Sequence, residues 1–232
     1  MKPHAIELLI SDCDGVLVDS EILSERVLME ELSKYVPRVE LERLLDGTFG
    51  LITRDIIQMV QARFNVELPA TLLSDIRTRS EQLIATHVEP IPGVKQALER
   101  IDLPLAVASN SLRHSVESSV ARAGLTERVA GNIFSADMVT HPKPAPDVYL
   151  LAAKTMGVAP EHCIVIEDSA TGVRAALAAG MRVIGFTGAS HIPPSHADTL
   201  RRLGVTALIS HMDELPAQIA ALRETAASGD GH

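Results

Sequence analysis

The chain has 232 residues, 46% hydrophobic and 22% charged, enough for one large domain or a core carrying a smaller insert. Aromatics make up 3% with no Trp, so the interior must rest on Leu, Ile, Val and Ala. A net charge of −9 argues against a nucleic-acid partner, which recruits clusters of Lys and Arg, yet it allows a small anionic substrate where a cation reverses the local field.

The first apolar run, Ile6-Glu7-Leu8-Leu9-Ile10, predicts a buried strand of a parallel sheet that ends at Ser11-Asp12-Cys13-Asp14-Gly15. Side chains alternate along a strand, so an extended backbone sends Asp12 and Asp14 to one side beyond its carboxyl end. Two carboxylates in a dry crevice repel each other and lose hydration, a cost of several kcal/mol that a divalent cation would offset. Gly15 frees the backbone to turn there.

Residues 20–88 hold amphipathic helical patterns near 20–34, 39–46, 52–63 and 69–87, broken at Pro37, Gly47/Gly50 and Leu68-Pro69. An all-helical insert, residues 18–90, is expected inside a core of residues 1–17 and 91–225, with a frayed tail over 226–232. After Ile91-Pro92-Gly93 the rhythm changes. Strands are predicted at 103–109, 132–135, 163–167, 182–186 and 206–209, alternating with helices at 111–123, 146–156, 171–179 and 213–223. That alternation predicts an α/β fold with a doubly wound parallel sheet. Cys13 and Cys163 lie near strand ends and predict no disulfide, which fits a reducing, cytoplasmic setting. No signal-type run opens the chain and no apolar stretch reaches spanning length, so no membrane association is expected.

Ligands of open α/β sheets sit beyond the carboxyl ends of the strands. Those ends supply Asp12 and Asp14, then Ser109-Asn110, then Glu167-Asp168-Ser169, with Lys143 between prolines in His141-Pro142-Lys143-Pro144. Each has an ordinary explanation: Ser-Asn and Asp-Ser pairs cap helices, and a Pro-flanked Lys is a solvated loop residue. Together they place two carboxylates, a hydroxyl, a lysine and a second acidic pair along one sheet edge. The histidines His114, His141, His191 and His196 show no metal-ligand spacing, and Thr187–His191, after the last long strand, reads as a surface turn in preference to a segment bordering the site.

The ordered set Asp12-Cys13-Asp14-Gly15-Val16-Leu17-Val18-Asp19-Ser20-Glu21, Ser109-Asn110, Lys143-Pro144 and Glu167-Asp168-Ser169 resembles the haloacid dehalogenase superfamily. Within it, the chain looks like the sugar-phosphate phosphatases and β-phosphoglucomutases whose helical cap follows the first strand. The resemblance implies a Rossmann-like core and phosphoryl transfer from a small phosphorylated metabolite. Asp12 would be the nucleophile, forming an aspartyl-phosphate, and Asp14 the general acid and then base. Mg2+ would be held by Asp12, the Asp14 backbone carbonyl and Asp168, with Glu167 close by or acting through water. Ser109 and the Asn110 amide would bind phosphoryl oxygens, and Lys143 would neutralise nucleophile and substrate. The loop Gly47-Thr48-Phe49-Gly50-Leu51-Ile52-Thr53-Arg54 would select substrate, with Gly47 and Arg54 as its contacts.

Departures from the pattern refine this. Dehalogenating members lack the second aspartate, so Asp14 counts against dehalogenation. The mutases carry a His where this chain has Ser24, and a cap-loop arginine where it has Thr53, with Arg54 one residue away. Hydrolysis is therefore expected over mutation, and over a catalytically silent binding protein, which has no need of Asp14. A monomer or weak homodimer would suffice.

Overall fold

The computed structural model describes residues 4–46 and 51–227. Strands form where the sequence offers short apolar runs: β1 (Leu8–Ser11), β2 (Leu105–Ala108), β3 (Ile133–Phe134), β4 (Cys163–Glu167), β5 (Arg182–Phe186) and β6 (Ala207–Ile209). They pair in parallel, in the order β3-β2-β1-β4-β5-β6. Leu8, Ile10, Ala106, Ala108, Cys163 and Val165 share one buried cluster with Val148, Tyr149, Ala152 and Val173. Their neighbours Leu9, Leu105, Val107, Ile164 and Ile166 alternate to the opposite face and are buried just as completely. Both faces are therefore covered, which is why these strands read as continuous apolar runs rather than alternating ones.

The described residues divide into two compact units, one reaching Asp19 and resuming at Glu89, the other Ser20–Val88. The second holds α1 (Glu21–Leu32), α2 (Arg38–Leu45), α3 (Thr53–Phe64) and α4 (Leu72–His87). These helices close on their own core of Val27, Leu32, Val36, Leu41, Ile56, Val60, Leu72 and Ile76. Glu31 is buried among them and accepts from Lys34 and from Arg79 of α4. The segments that lead into and out of this unit pair with each other. Asp19 N–H donates to the Glu89 carbonyl at 2.9 Å and Ile91 N–H to the Leu17 carbonyl at 3.0 Å, which keeps residues 18, 19, 89 and 90 with the sheet unit.

The sheet unit continues with α5 (Val94–Glu99), α6 (Arg113–Arg122), α7 (Thr126–Val129), α8 (Asp147–Met156), α9 (Ala170–Ala178), α10 (His196–Leu203) and α11 (Leu215–Ala227). The sequence pattern anticipates α6, α8, α9 and α11, but α5, α7 and α10 are too short to show a clear period, and Pro193-Pro194 masks the start of α10. Helix α11 runs through Ala227, past the start of the expected frayed tail, and residues 228–232 lie outside the described residues. No described helix is long and apolar enough to cross a membrane.

β1 lies between β2 and β4, with Leu9 opposite both Leu105 and Ile164. The chain leaves these three adjacent strands in different directions, so their carboxyl ends frame a crevice at the centre of the sheet. Leu9 on this central strand is fully buried. Leu9→Ala is expected to cost about 2–5 kcal/mol, read as a lower urea midpoint with an unchanged slope.

Candidate active site

The ladder of β1 does not stop at Ser11. Asp12 N–H donates to the Ile166 carbonyl at 3.0 Å, so the Asp12 backbone is fixed as an extension of the strand. The chain then turns, with Leu17 and Val18 N–H donating to the Cys13 carbonyl at 2.9 and 3.3 Å, and Gly15 N–H to the Val18 carbonyl at 2.8 Å. Gly15 sits at φ +77°, and a Cβ there would fall 2.0 Å from Asp168 Oδ2. The turn requires glycine twice over, for its backbone angle and for the approach of Asp168.

Lys143 enters from the loop before α8. The Asn110 side chain grips its backbone at both ends: Lys143 N–H donates to Asn110 Oδ1 at 2.8 Å, and Asn110 Nδ2 donates to the Lys143 carbonyl at 3.0 Å. The buried Lys143 Nζ donates to Asp12 Oδ1 at 2.7 Å, Glu167 Oε1 at 2.8 Å and the Ala108 carbonyl at 2.9 Å. It also lies 4.7 Å from the centre of the Tyr149 ring, within cation–π range. The Asn110 side chain is thus spent on the lysine loop, and only its backbone amide is left for the expected phosphoryl contact.

Glu167 is fully buried at the end of β4. Its Oε1 also accepts from the Tyr149 hydroxyl at 2.9 Å, and its Oε2 accepts from Ser169 N–H and Oγ–H, both at 3.0 Å. Ser169 Oγ in turn caps α9 by accepting from Gly172 N–H at 3.0 Å. A Cβ on Gly172 would come within 1.5 Å of Glu167 Oε1, so the helix start is shaped around this carboxylate. Asp12, Glu167 and Asp168 bring carboxylate oxygens within 4.8 Å of one another. The Asp14 side chain turns elsewhere, accepting from Ser111 Oγ at 2.7 Å and Ser109 Oγ at 3.2 Å, while Ser111 N–H donates to Ser109 Oγ at 2.9 Å.

The reading of the histidines as uninvolved does not hold, and Thr187–His191, a turn with Gly188 and Ser190 exposed, does border the site through His191. His196 Nε2 lies 2.7 Å from the Asp168 backbone carbonyl, which can only accept, so the proton sits on Nε2. His191 lies between two carboxylates, Nε2 at 3.7 Å from Asp168 Oδ2 and Nδ1 at 3.8 Å from Asp19 Oδ1. The carboxyl-edge rule applied to β5 marks this loop, whose polar residues follow Phe186 directly. Ser111 and Tyr149 were missed as well; Ser111 is two residues past a marked position, whereas Tyr149 looks like ordinary helix core. Gly47 lies outside the described residues. Arg54 is exposed on α3, beside a shallow cavity of about 210 Å³ lined by Ile57, Gln61, Leu68 and Leu73.

Electrostatically the crevice is under-compensated. One ammonium, Lys143, faces Asp12, Asp14, Glu167 and Asp168. Burial first, then the charge of Glu167, pushes the Asp12 carboxyl up to about 8 against the pull of Lys143. Burial disfavours the Lys143 ammonium, but Asp12 and Glu167 outweigh it and hold the group well above its ordinary range. The Cys13 thiol is pushed well up by burial and by Asp14 and Asp12, which leaves it inert. An all-oxygen donor set with excess negative charge fits a hard divalent cation.

Residues 9–186 match the family of haloacid dehalogenase-like hydrolases. The chain belongs to this family. It is 29% identical to the 6-phosphogluconate phosphatase of Escherichia coli K12, over 82% of this chain and 86% of that one. It is 33% identical to the fructose-1-phosphate phosphatase of the same strain, over 76% of this chain and 94% of that one. A haloacid dehalogenase-like protein of unknown function from Agrobacterium tumefaciens superposes with a TM-score of 0.86 at 40% identity, covering 94% of this chain and 99% of that one.

The elevated Asp12 carboxyl has a consequence for stability. Its folded value near 8 exceeds the unfolded 3.8, so the folded state holds the extra proton between those limits. The metal-free protein therefore loses this contribution as pH rises through 8. Asp12→Asn removes it. In urea titrations with EDTA, the stability of the variant relative to wild type is expected to increase from pH 5 to pH 8.5.

Proposed function

We propose that the protein is a magnesium-dependent phosphatase that hydrolyses monoesters of small sugars or sugar acids through an aspartyl-phosphate on Asp12. The observation that carries this reading is the ion pair between Lys143 Nζ and Asp12 Oδ1 at 2.7 Å, inside a crevice that still has an excess of carboxylates. A lysine so placed holds one oxygen of the nucleophile and leaves a positive charge where phosphoryl oxygens would gather. The relatives named for 6-phosphogluconate and fructose 1-phosphate support the substrate class.

Asp12 and Asp168, the Asp14 backbone carbonyl and, more remotely, Glu167 would hold Mg2+. Glu167 is already engaged by Lys143, Tyr149 and Ser169, which suits a supporting part. A bound Mg2+ would offset the negative charge shared by the carboxylates and the phosphoryl group.

The protein's own groups then divide the reaction. An Asp12 oxygen attacks phosphorus as the ester P–O bond breaks, and Asp14 gives its proton to the departing alkoxide. Asp14 next takes a proton from water, which attacks the aspartyl-phosphate and releases inorganic phosphate. Ser109 and Ser111 hold the Asp14 carboxyl group, and Ser109, with the Asn110 backbone amide, would bind phosphoryl oxygens once substrate enters. Substrate choice is assigned to the helical unit, with Gly47 and Arg54 as contacts. Ser24, where the mutases carry His, favours free phosphate as the product over an isomerised sugar phosphate.

Phosphate release from a panel of sugar and sugar-acid phosphates, with Mg2+ or EDTA, tests this. Wild type is expected to turn over at least one compound only with the metal. Asp12→Asn should lose at least about 10³-fold in kcat, and Lys143→Met about 10²–10³-fold. Equal, EDTA-insensitive rates for wild type and Asp12→Asn would remove the enzyme reading.

A further inference from the structure

The reaction above uses Asp168 but not the groups packed around it. His196 Nε2 fixes the Asp168 backbone carbonyl at 2.7 Å, and Gly15 leaves room for its carboxylate. The carboxylate faces His191, whose other ring nitrogen faces Asp19. Asp19 is itself located by Ser190 N–H, which donates to its Oδ2 at 3.3 Å. The His191 side chain is 11% exposed and Asp168 6%, so this row lies largely out of water. An imidazole in such a place needs a reason, since an apolar residue would fill the space without drawing a polar ring from solvent.

We propose that His191, backed by Asp19, is a positioning residue that orients the Asp168 carboxylate for the divalent ion. The inference rests on the metal reading of this site. Ligand carboxylates held by neighbouring groups bind metal better, because their orientation is set before the ion arrives. At separations of 3.7 and 3.8 Å the His191 ring acts by packing against the Asp168 carboxylate, or through a bridging water. His191 would touch neither substrate nor reacting atoms. Its loss should weaken the metal and leave the chemical step nearly intact once metal is saturating.

The test is a Mn2+ titration of metal-free protein followed by electron paramagnetic resonance, with no substrate present. His191→Ala is expected to raise the Mn2+ dissociation constant roughly 10–100-fold. Asp19→Asn should raise it several-fold, and His191→Gln, which keeps an amide near the carboxylate, should recover part of the loss. In turnover, the Mg2+ concentration for half-maximal rate should rise while kcat at saturating Mg2+ stays within about threefold of wild type. Variants that bind Mn2+ within twofold of wild type would overturn the positioning role and leave the metal site standing. Wild type that binds no Mn2+ would overturn both. Should His191→Ala fail to fold, His191→Gln and Asp19→Asn carry the same decision.

Discussion

A single ammonium group ties three adjacent strand ends together. Lys143 Nζ reaches the Ala108 carbonyl from β2, Asp12 from β1 and Glu167 from β4, all between 2.7 and 2.9 Å. Burying a lone lysine would be prohibitive; burying it against two carboxylates and a carbonyl satisfies each of its three donors. The surroundings follow from that requirement. Asn110 clamps the lysine's backbone, Tyr149 donates to Glu167 and offers its ring face to the ammonium, and Ser169 secures the far oxygen of Glu167. The lysine is thus as much a structural rivet as a chemical group, and its neighbours are fixed before any ligand arrives.

The rivet does not balance the site. Glu167 is saturated with donors, but Asp12 and Asp168 keep their oxygens within reach of one another and of no second ammonium among the described residues. Such a constellation is poor for stability and good for binding a cation, the usual conflict at functional sites. Two glycines make it sterically possible. Without a side chain at Gly15 or Gly172, Asp168 and Glu167 pack directly on backbone, where a Cβ would overlap them. The acids crowd together because the chain has given up side chains around them.

Much of this was legible in the residue order. The strand ends could be placed because buried parallel strands leave unbroken apolar runs, and the polar residues that follow each run are then the ones at the crevice. Asp12, Asp14, Ser109, Glu167 and Asp168 all emerge that way, whereas Lys143, in a loop between prolines, gains weight only from the family resemblance. What stayed hidden depends on which helix face meets which strand end. Tyr149 has the signature of helix core, and its hydroxyl matters only because α8 brings it to Glu167, 18 residues along the chain. The Asn110 side chain gives no hint in the sequence that it clamps a loop backbone 33 residues away. His191 sits after β5 in a segment that reads as a surface turn, and only the fold brings it to Asp168.

The position of the helical unit follows from the same geometry. The chain departs just after the Cys13–Val18 turn, and the returning segment at Glu89–Ile91 pairs with the departing one at Leu17–Asp19. This two-stranded neck hands over from a backbone fixed by the sheet to a unit with its own apolar core. The backbone that holds Asp12 hangs from Ile166 of β4, within the sheet unit. A fold divided in this way can keep one set of acids and one lysine while the inserted helices diverge. The asymmetry in what the sequence discloses has the same origin. Residues under the lysine's constraint declare the chemistry, while residues such as Arg54, exposed on α3, are free of that constraint and disclose nothing comparable.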